Sequence, residues 1–123
     1  YPGTGREFEK GSGPGLGTTL NSTILPGQGD EEYRHKIIRD LIPAFDKFMP
    51  EVILVSAGFD AHAEDYMSDV KLSTEGFSWM MKMIVRMADQ HAAGRLISVL
   101  EGGYSLYALP ELIRDHIQIL LDL

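Results

Sequence analysis

Two short apolar runs, residues 52–56 (V-I-L-V-S) and 96–100 (L-I-S-V-L), constrain the fold of this chain more than any other feature. The first is apolar without interruption up to Ser56, which predicts a strand covered on both faces, as in a parallel sheet; the second reads as another buried strand. Parallel strands need a crossover, and the residues between the runs supply a helix for it. Ser73 is placed to cap that helix, Phe77, Met80, Met81, Ile84, Val85 and Ala88 form an apolar stripe, and Gly94 stops it. Upstream, Asp30 is a plausible N-cap with Glu31 and Glu32 in the first turn. Ile37, Ile38, Leu41, Ile42 and Phe45 fall on one face of this helix, and Pro43 is expected to kink it. Downstream, Pro110 starts a last amphipathic helix carrying Leu112, Ile113, Ile117, Leu120 and Leu121. Helix, strand, helix, strand, helix is the rhythm of an α/β layer protein.

The remainder is loop, with one exception. Residues 1–17 are dense in glycine and proline and should stay irregular; the alternate glycines from Gly11 to Gly17 lack the preceding strand and following helix that a nucleotide-binding turn requires. Residues 18–25 (T-T-L-N-S-T-I-L), closed by Pro26 and Gly27, predict a short strand. A chain of 123 residues, 44% hydrophobic and 24% charged, has globular composition and fits one compact domain or part of one. A formal net charge of -7 argues against nucleic-acid binding, which uses clustered Lys and Arg. No cysteine is present, so disulfides and thiolate metal sites are excluded and any metal must use carboxylate, imidazole or carbonyl ligands. This fits a cytoplasmic protein. No stretch approaches the roughly 20 apolar residues of a membrane span, no signal peptide is evident, and the absence of an initiator Met suggests a chain cut from something longer.

In open α/β sheets the ligand crevice lies beyond the carboxyl ends of the strands. Asp60 follows the first run and Glu101-Gly102-Gly103-Tyr104 follows the second, so a carboxylate and a phenol are predicted to meet at one rim.

These residues also carry a resemblance. V-S-A-G-F-D-A-H at 55–62 with Asp65 beyond it, E-G-G-Y-S at 101–105, Y-P-G-T-G at 1–5 and N-S-T-I-L-P-G-Q-G-D at 21–30 stand in the order found in the zinc-dependent histone deacetylase superfamily. The sequence is most similar to class II and bacterial members, including acetylpolyamine amidohydrolase-like proteins. The resemblance implies an arginase-like three-layer α/β/α fold with a mainly parallel sheet, of which residues 1–123 match only the C-terminal portion. It implies an amide hydrolase that removes an acetyl group from acetyl-lysine or an acetylated polyamine. In that family Asp60 corresponds to an aspartate ligand of Zn2+, and Tyr104 to the tyrosine that polarises the scissile carbonyl. A carboxylate oxygen suits zinc at about 2.0 to 2.2 Å, and a donor aimed at a developing oxyanion is worth roughly 3 to 4 kcal/mol. Gly102 and Gly103 would let the backbone pass close to substrate. Met67 matches a tunnel-lining Leu and Tyr1 an aromatic tunnel wall, although the loop D-Y-M, residues 65–67, departs from the family's D-P-L.

The resemblance also implies what these residues do not supply. The family's Asp-x-His ligand motif and adjacent histidine pair belong upstream, and the four histidines here, His35, His62, His91 and His116, include no adjacent pair. Extended geometry would put Asp60 and His62 on one side, so D-A-H remains an alternative two-ligand reading, with His62 as the second ligand. The isolated chain is therefore expected to hold zinc weakly and to be inactive. A non-catalytic, truncated α/β module that self-associates is the alternative function, and the expected protein partner is a second copy or a missing N-terminal segment. Glu101 is expected to be structural, the Met80, Met81, Met83, Met87 and Trp79 cluster to fill core, and His35 and His91 to be solvated.

Overall fold

The computed structural model describes residues 3–122, which form one α/β layer. Its elements are α1 (Asp30–Lys36), a π-helical segment (Ile37–Leu41), α2 (Ile42–Phe48), β1 (Ile53–Ala57), α3 (Thr74–Ala92), β2 (Leu96–Leu100) and α4 (Leu109–Leu121). β1 and β2 pair in parallel, from Ile53 opposite Leu96 to Ala57 opposite Leu100, so the two strands end level with one another. The α/β class and, from residue 30 onward, the order helix, strand, helix, strand, helix are those expected.

Both strands turn the same face to the helices. Ile53 packs with Met87, Ala88 and Ala92 of α3, joined by Leu41, Ile42 and Phe45. Ala57 and Phe59 pack with Ala108 and Leu112, joined by Phe77 and Ile113. The predicted cover on the second face is not provided: Leu54 is 73% exposed, and Ile97 and Val99 are also open. The apolar run was a correct sign of a parallel strand, but α2, α3 and α4 all lie against the side of Ile53, Val55 and Ala57, so only one layer of helix is present among the described residues.

The first helix differs from expectation in detail. Gly29, not Asp30, is its N-cap; the Gly29 N–H donates to Glu32 Oε2 at 2.9 Å, while Asp30 is already helical. The Asp30 carboxylate is thereby released to accept from Ser73 N–H at 2.8 Å and Ser73 O–H at 2.6 Å, and Ser73 Oγ accepts the Gly76 N–H at 3.0 Å. Ser73 is thus the expected cap of α3 and also a link between two helices. Pro43 does disturb the first helix: having no N–H, it cannot bond the carbonyl of Arg39, and the turn before it widens, with Ile42 N–H donating to Ile37. Gly94 ends α3 as expected, with Ala93 just before it also left-handed at φ 50°. In α4 the buried residues are Leu112 and Ile119; Ile117 and Leu121, predicted on the apolar stripe, are exposed.

Residues 18–25 form no strand. Their β-branched composition has no ladder to join, and side chains hold them instead: Asn21 Nδ2 donates to the Arg6 and Glu9 carbonyls, and Ser22 O–H donates to Asp40. Strand propensity expresses itself only beside another strand. Met81 and Met87 fill core as expected, whereas Trp79 carries the Arg34 guanidinium over its ring at 4.6 Å. His91 is not free in solvent; its Nε2 lies 3.0 Å from Asp46 Oδ1, tying α3 to α2.

Candidate active site at the strand ends

Beyond β1 and β2 the two chains continue side by side. Glu101 N–H donates to the Ala57 carbonyl at 3.0 Å and Phe59 N–H to the Gly102 carbonyl at 2.8 Å, so the segments 57–60 and 101–104 stay in register past the sheet. The Glu101 side chain is exposed, and its part in this register is through the backbone. Register brings Asp60 against Gly102: a Cβ built on Gly102 would lie 3.1 to 3.2 Å from the carboxyl carbon and both oxygens of Asp60. At Gly103 the backbone has φ +139°, and a Cβ there would meet Leu109 at 2.9 Å and Phe59 at 3.1 Å. Glycine is therefore required at 103 by conformation and space, whereas at 102 a Cβ would press on the carboxylate beside it. Tyr104 follows with its side chain in the open, 46% exposed, and its ring 6.5 Å from that of Tyr66.

Asp65 is the residue that sequence reasoning left without a role. It is only 5% exposed. Its Oδ1 accepts from Met67 N–H at 2.9 Å, and its Oδ2 from Tyr104 N–H at 2.6 Å and Ser105 N–H at 3.0 Å. Burial alone would raise its pKa, but those three N–H donors, with His62 nearby, outweigh burial and hold the carboxyl below its ordinary range. One charged group thus joins the loop bearing Met67 to the loop bearing Tyr104. Nothing in the sequence marked it beyond its place in the D-Y-M triplet.

Tyr33 of α1 was also missed. Burial, and then the negative charge of Asp60, raise its phenol pKa, so its hydroxyl stays protonated near that carboxylate. Its position in register with Ile37 and Leu41 was the available signal. Below it an apolar cleft of about 300 Å³ runs between α1, the sheet and α3, lined by Tyr33, Ile37, Val55, Gly58, Phe59 and Met81.

His62 is buried and turned into the protein. Its Nδ1 accepts the Glu64 N–H at 3.1 Å, which leaves Nε2 protonated to donate to Thr74 Oγ1 at 3.2 Å. Both ring nitrogens are engaged, so the alternative two-ligand reading of D-A-H finds no support. His116 of α4 lines the same apolar cleft, its ring edge-on to Phe59 at 5.5 Å, its Nε2 on Ser98 Oγ at 2.8 Å and its pKa lowered by burial. Among the described residues no group of three His, Cys, Asp or Glu side chains could hold a metal ion. Asp60 offers one carboxylate in a glycine-walled niche; a zinc site with three protein ligands is not made by these residues alone. The structure thus brings Asp60, Gly102, Gly103, Tyr104 and Met67 to one rim, while Tyr1 lies outside the described residues.

The sequence profile of the histone deacetylase domain matches residues 1–120, nearly the full chain. The chain belongs to the histone deacetylase family. A probable deacetylase of Archaeoglobus fulgidus is 45% identical over 111 residues, covering 89% of this chain and 31% of that protein. The HDA15 HD domain superposes with a TM-score of 0.91 at 32% identity, over 99% of this chain and 33% of the other. An acetylpolyamine aminohydrolase from Burkholderia pseudomallei superposes with a TM-score of 0.81 at 26% identity, over 95% of this chain and 32% of the other. The fold is therefore part of the arginase-like deacetylase fold, and the chain spans about a third of the length of each of these three relatives. Among the described residues no helix is long and apolar enough to cross a membrane.

Proposed function

We propose that residues 1–123 form the C-terminal portion of a zinc-dependent amide hydrolase that removes an acetyl group from acetyl-lysine or an acetylated polyamine. Family membership supports the hydrolase class, and the observation that carries the site assignment is the register of the two strand-end segments, which sets Asp60 against Gly102 two residues before Tyr104. In this reading Asp60 gives one carboxylate to a metal whose other ligands come from outside the described residues. The Tyr104 hydroxyl donates a hydrogen bond to the acyl oxygen as negative charge grows on it. The half-exposed Tyr104 ring suits that role, since a hydroxyl directed at substrate has to reach the rim. Gly102 and Gly103 leave room for the substrate's acyl end, and Met67, held by Asp65, lines the approach. The net charge of -7 suits a cationic polyamine or lysine-rich substrate and no direct nucleic-acid contact, and the cysteine-free sequence supports a cytoplasmic setting.

The 123 residues alone supply one candidate ligand and no adjacent histidine pair to take a proton, so by themselves they are expected to bind zinc loosely and to turn over no substrate. The test is made in the complete protein. Asp60→Asn should lose zinc on dialysis, whereas Tyr104→Phe should keep it and lower kcat on an acetyl-lysine peptide by about 10²- to 10³-fold. Full turnover by Tyr104→Phe would remove the catalytic assignment.

A further inference from the structure

We infer that Asp65 is a positioning residue: a single buried carboxylate that sets where the Tyr104 hydroxyl stands relative to the wall formed by Met67. The inference rests on the catalytic reading of Tyr104 given above and adds to it the group that fixes that side chain in place.

The argument starts from the backbone. Before Tyr104 the last interstrand hydrogen bond is that of Phe59 N–H to the Gly102 carbonyl, and the residue between is Gly103, whose φ of +139° belongs to a region open to glycine. A glycine link is the loosest joint a chain can have, so the strand end alone leaves the direction of Tyr104 weakly held. Asp65 Oδ2 closes that gap by accepting from both Tyr104 N–H and Ser105 N–H, and Ser105 in turn begins the turn into α4 through Ala108 N–H on its hydroxyl and Leu109 N–H on its carbonyl. The other oxygen, Oδ1, holds Met67 N–H.

The chemistry needs a carboxylate there. Three N–H groups converge from two loops about 40 positions apart in sequence, and only an ionised carboxylate offers acceptors on both sides at once. An amide would present an NH2 to one of the two loops and repel the N–H already there. Tyr104 itself is half-exposed and its ring is near Tyr66 only at 6.5 Å, so side-chain packing does little to fix it. Its backbone anchor therefore sets the Cα–Cβ direction from which the ring and its hydroxyl project.

The experiment uses the complete protein and four forms: wild type, Asp65→Asn, Tyr104→Phe and the double variant. Each is assayed for kcat and KM on an acetyl-lysine peptide and for melting temperature, and amide hydrogen exchange is followed at Tyr104 and Ser105. In the wild-type background Asp65→Asn should lower kcat about tenfold or more, because a misplaced hydroxyl loses the oxyanion contact, and should speed exchange at both amides. In the Tyr104→Phe background, where no hydroxyl remains to misplace, the same substitution should change kcat by less than about twofold. A role confined to folding would lower kcat equally in both backgrounds and follow the melting temperature. If Asp65→Asn fails to fold, Asp65→Glu, which keeps both oxygens but displaces them by one methylene, is expected to give the same background-dependent loss. Unchanged kcat in Asp65→Asn, or an equal loss in both backgrounds, overturns the positioning role while leaving Tyr104 catalytic. Full activity in Tyr104→Phe is the different result that overturns the catalytic reading and this inference with it.

Discussion

Asp60 shows how much of a residue's setting is decided by what its neighbour lacks. Its carboxylate occupies the space that a side chain at 102 would fill, with every carboxyl atom 3.1 to 3.2 Å from the Cβ that Gly102 does not have. That is tighter than ordinary contact, and since Gly102 does not have a positive φ, alanine there strains no backbone and acts by pushing on Asp60. Gly102→Ala should therefore lower kcat about tenfold or more and weaken zinc retention, with little change in melting temperature. Turnover and metal content at wild-type levels would show that Asp60 has room to spare. Asp60, Gly102 and Tyr104 were legible in the sequence because each sits a fixed short distance past a strand. Asp65 was not, because its partners at 104 and 105 are joined to it only by the fold.

Among the elements, α3 was the most readable and the first helix the least. The α3 cap is set by local chemistry, a serine three residues before the N–H it accepts, and local chemistry is what sequence displays. Ser73 also donates to Asp30, so Ser73→Ala removes both the cap and a tie between α1 and α3. It should cost about 1 to 2 kcal/mol in urea unfolding of the complete protein, and Ser73→Thr should restore most of it. A loss below a few tenths would mean that water replaces the hydroxyl at no cost. The failure at residues 18–25 has the opposite origin: a β-rich segment becomes a strand only when an edge lies beside it, and there the side chains of Asn21 and Ser22 bond to loop and helix groups instead.

At the level of the molecule the dominant fact is the open side of the sheet. Leu54, Ile97 and Val99 stand exposed on it, and among the described residues β1 and β2 pair only with each other, leaving an outer edge on each. A contiguous apolar face with unpaired edges favours association. The 123 residues in isolation should therefore form dimers or larger species at micromolar concentration and bind a hydrophobic dye. A monodisperse monomer in sedimentation, without dye binding, would contradict this. The companion expectation is that a polypeptide carrying the remaining two thirds of a relative's domain competes for that same face.

By itself the sequence determined the α/β class, the parallel pairing of two apolar strands, the cap and stop of α3, and the meeting of Asp60 with the segment 101–104. These follow from periodicity, turn residues and strand ends, which act over a few neighbouring positions. Only the tertiary structure decided that helices cover a single face, that residues 18–25 have no ladder to join, that His62 spends both nitrogens inside the protein, and that Asp65 ties Met67 to Tyr104. Each of those depends on which groups distant in the chain arrive side by side, and a buried carboxylate or imidazole takes its role from the donors and acceptors that surround it there.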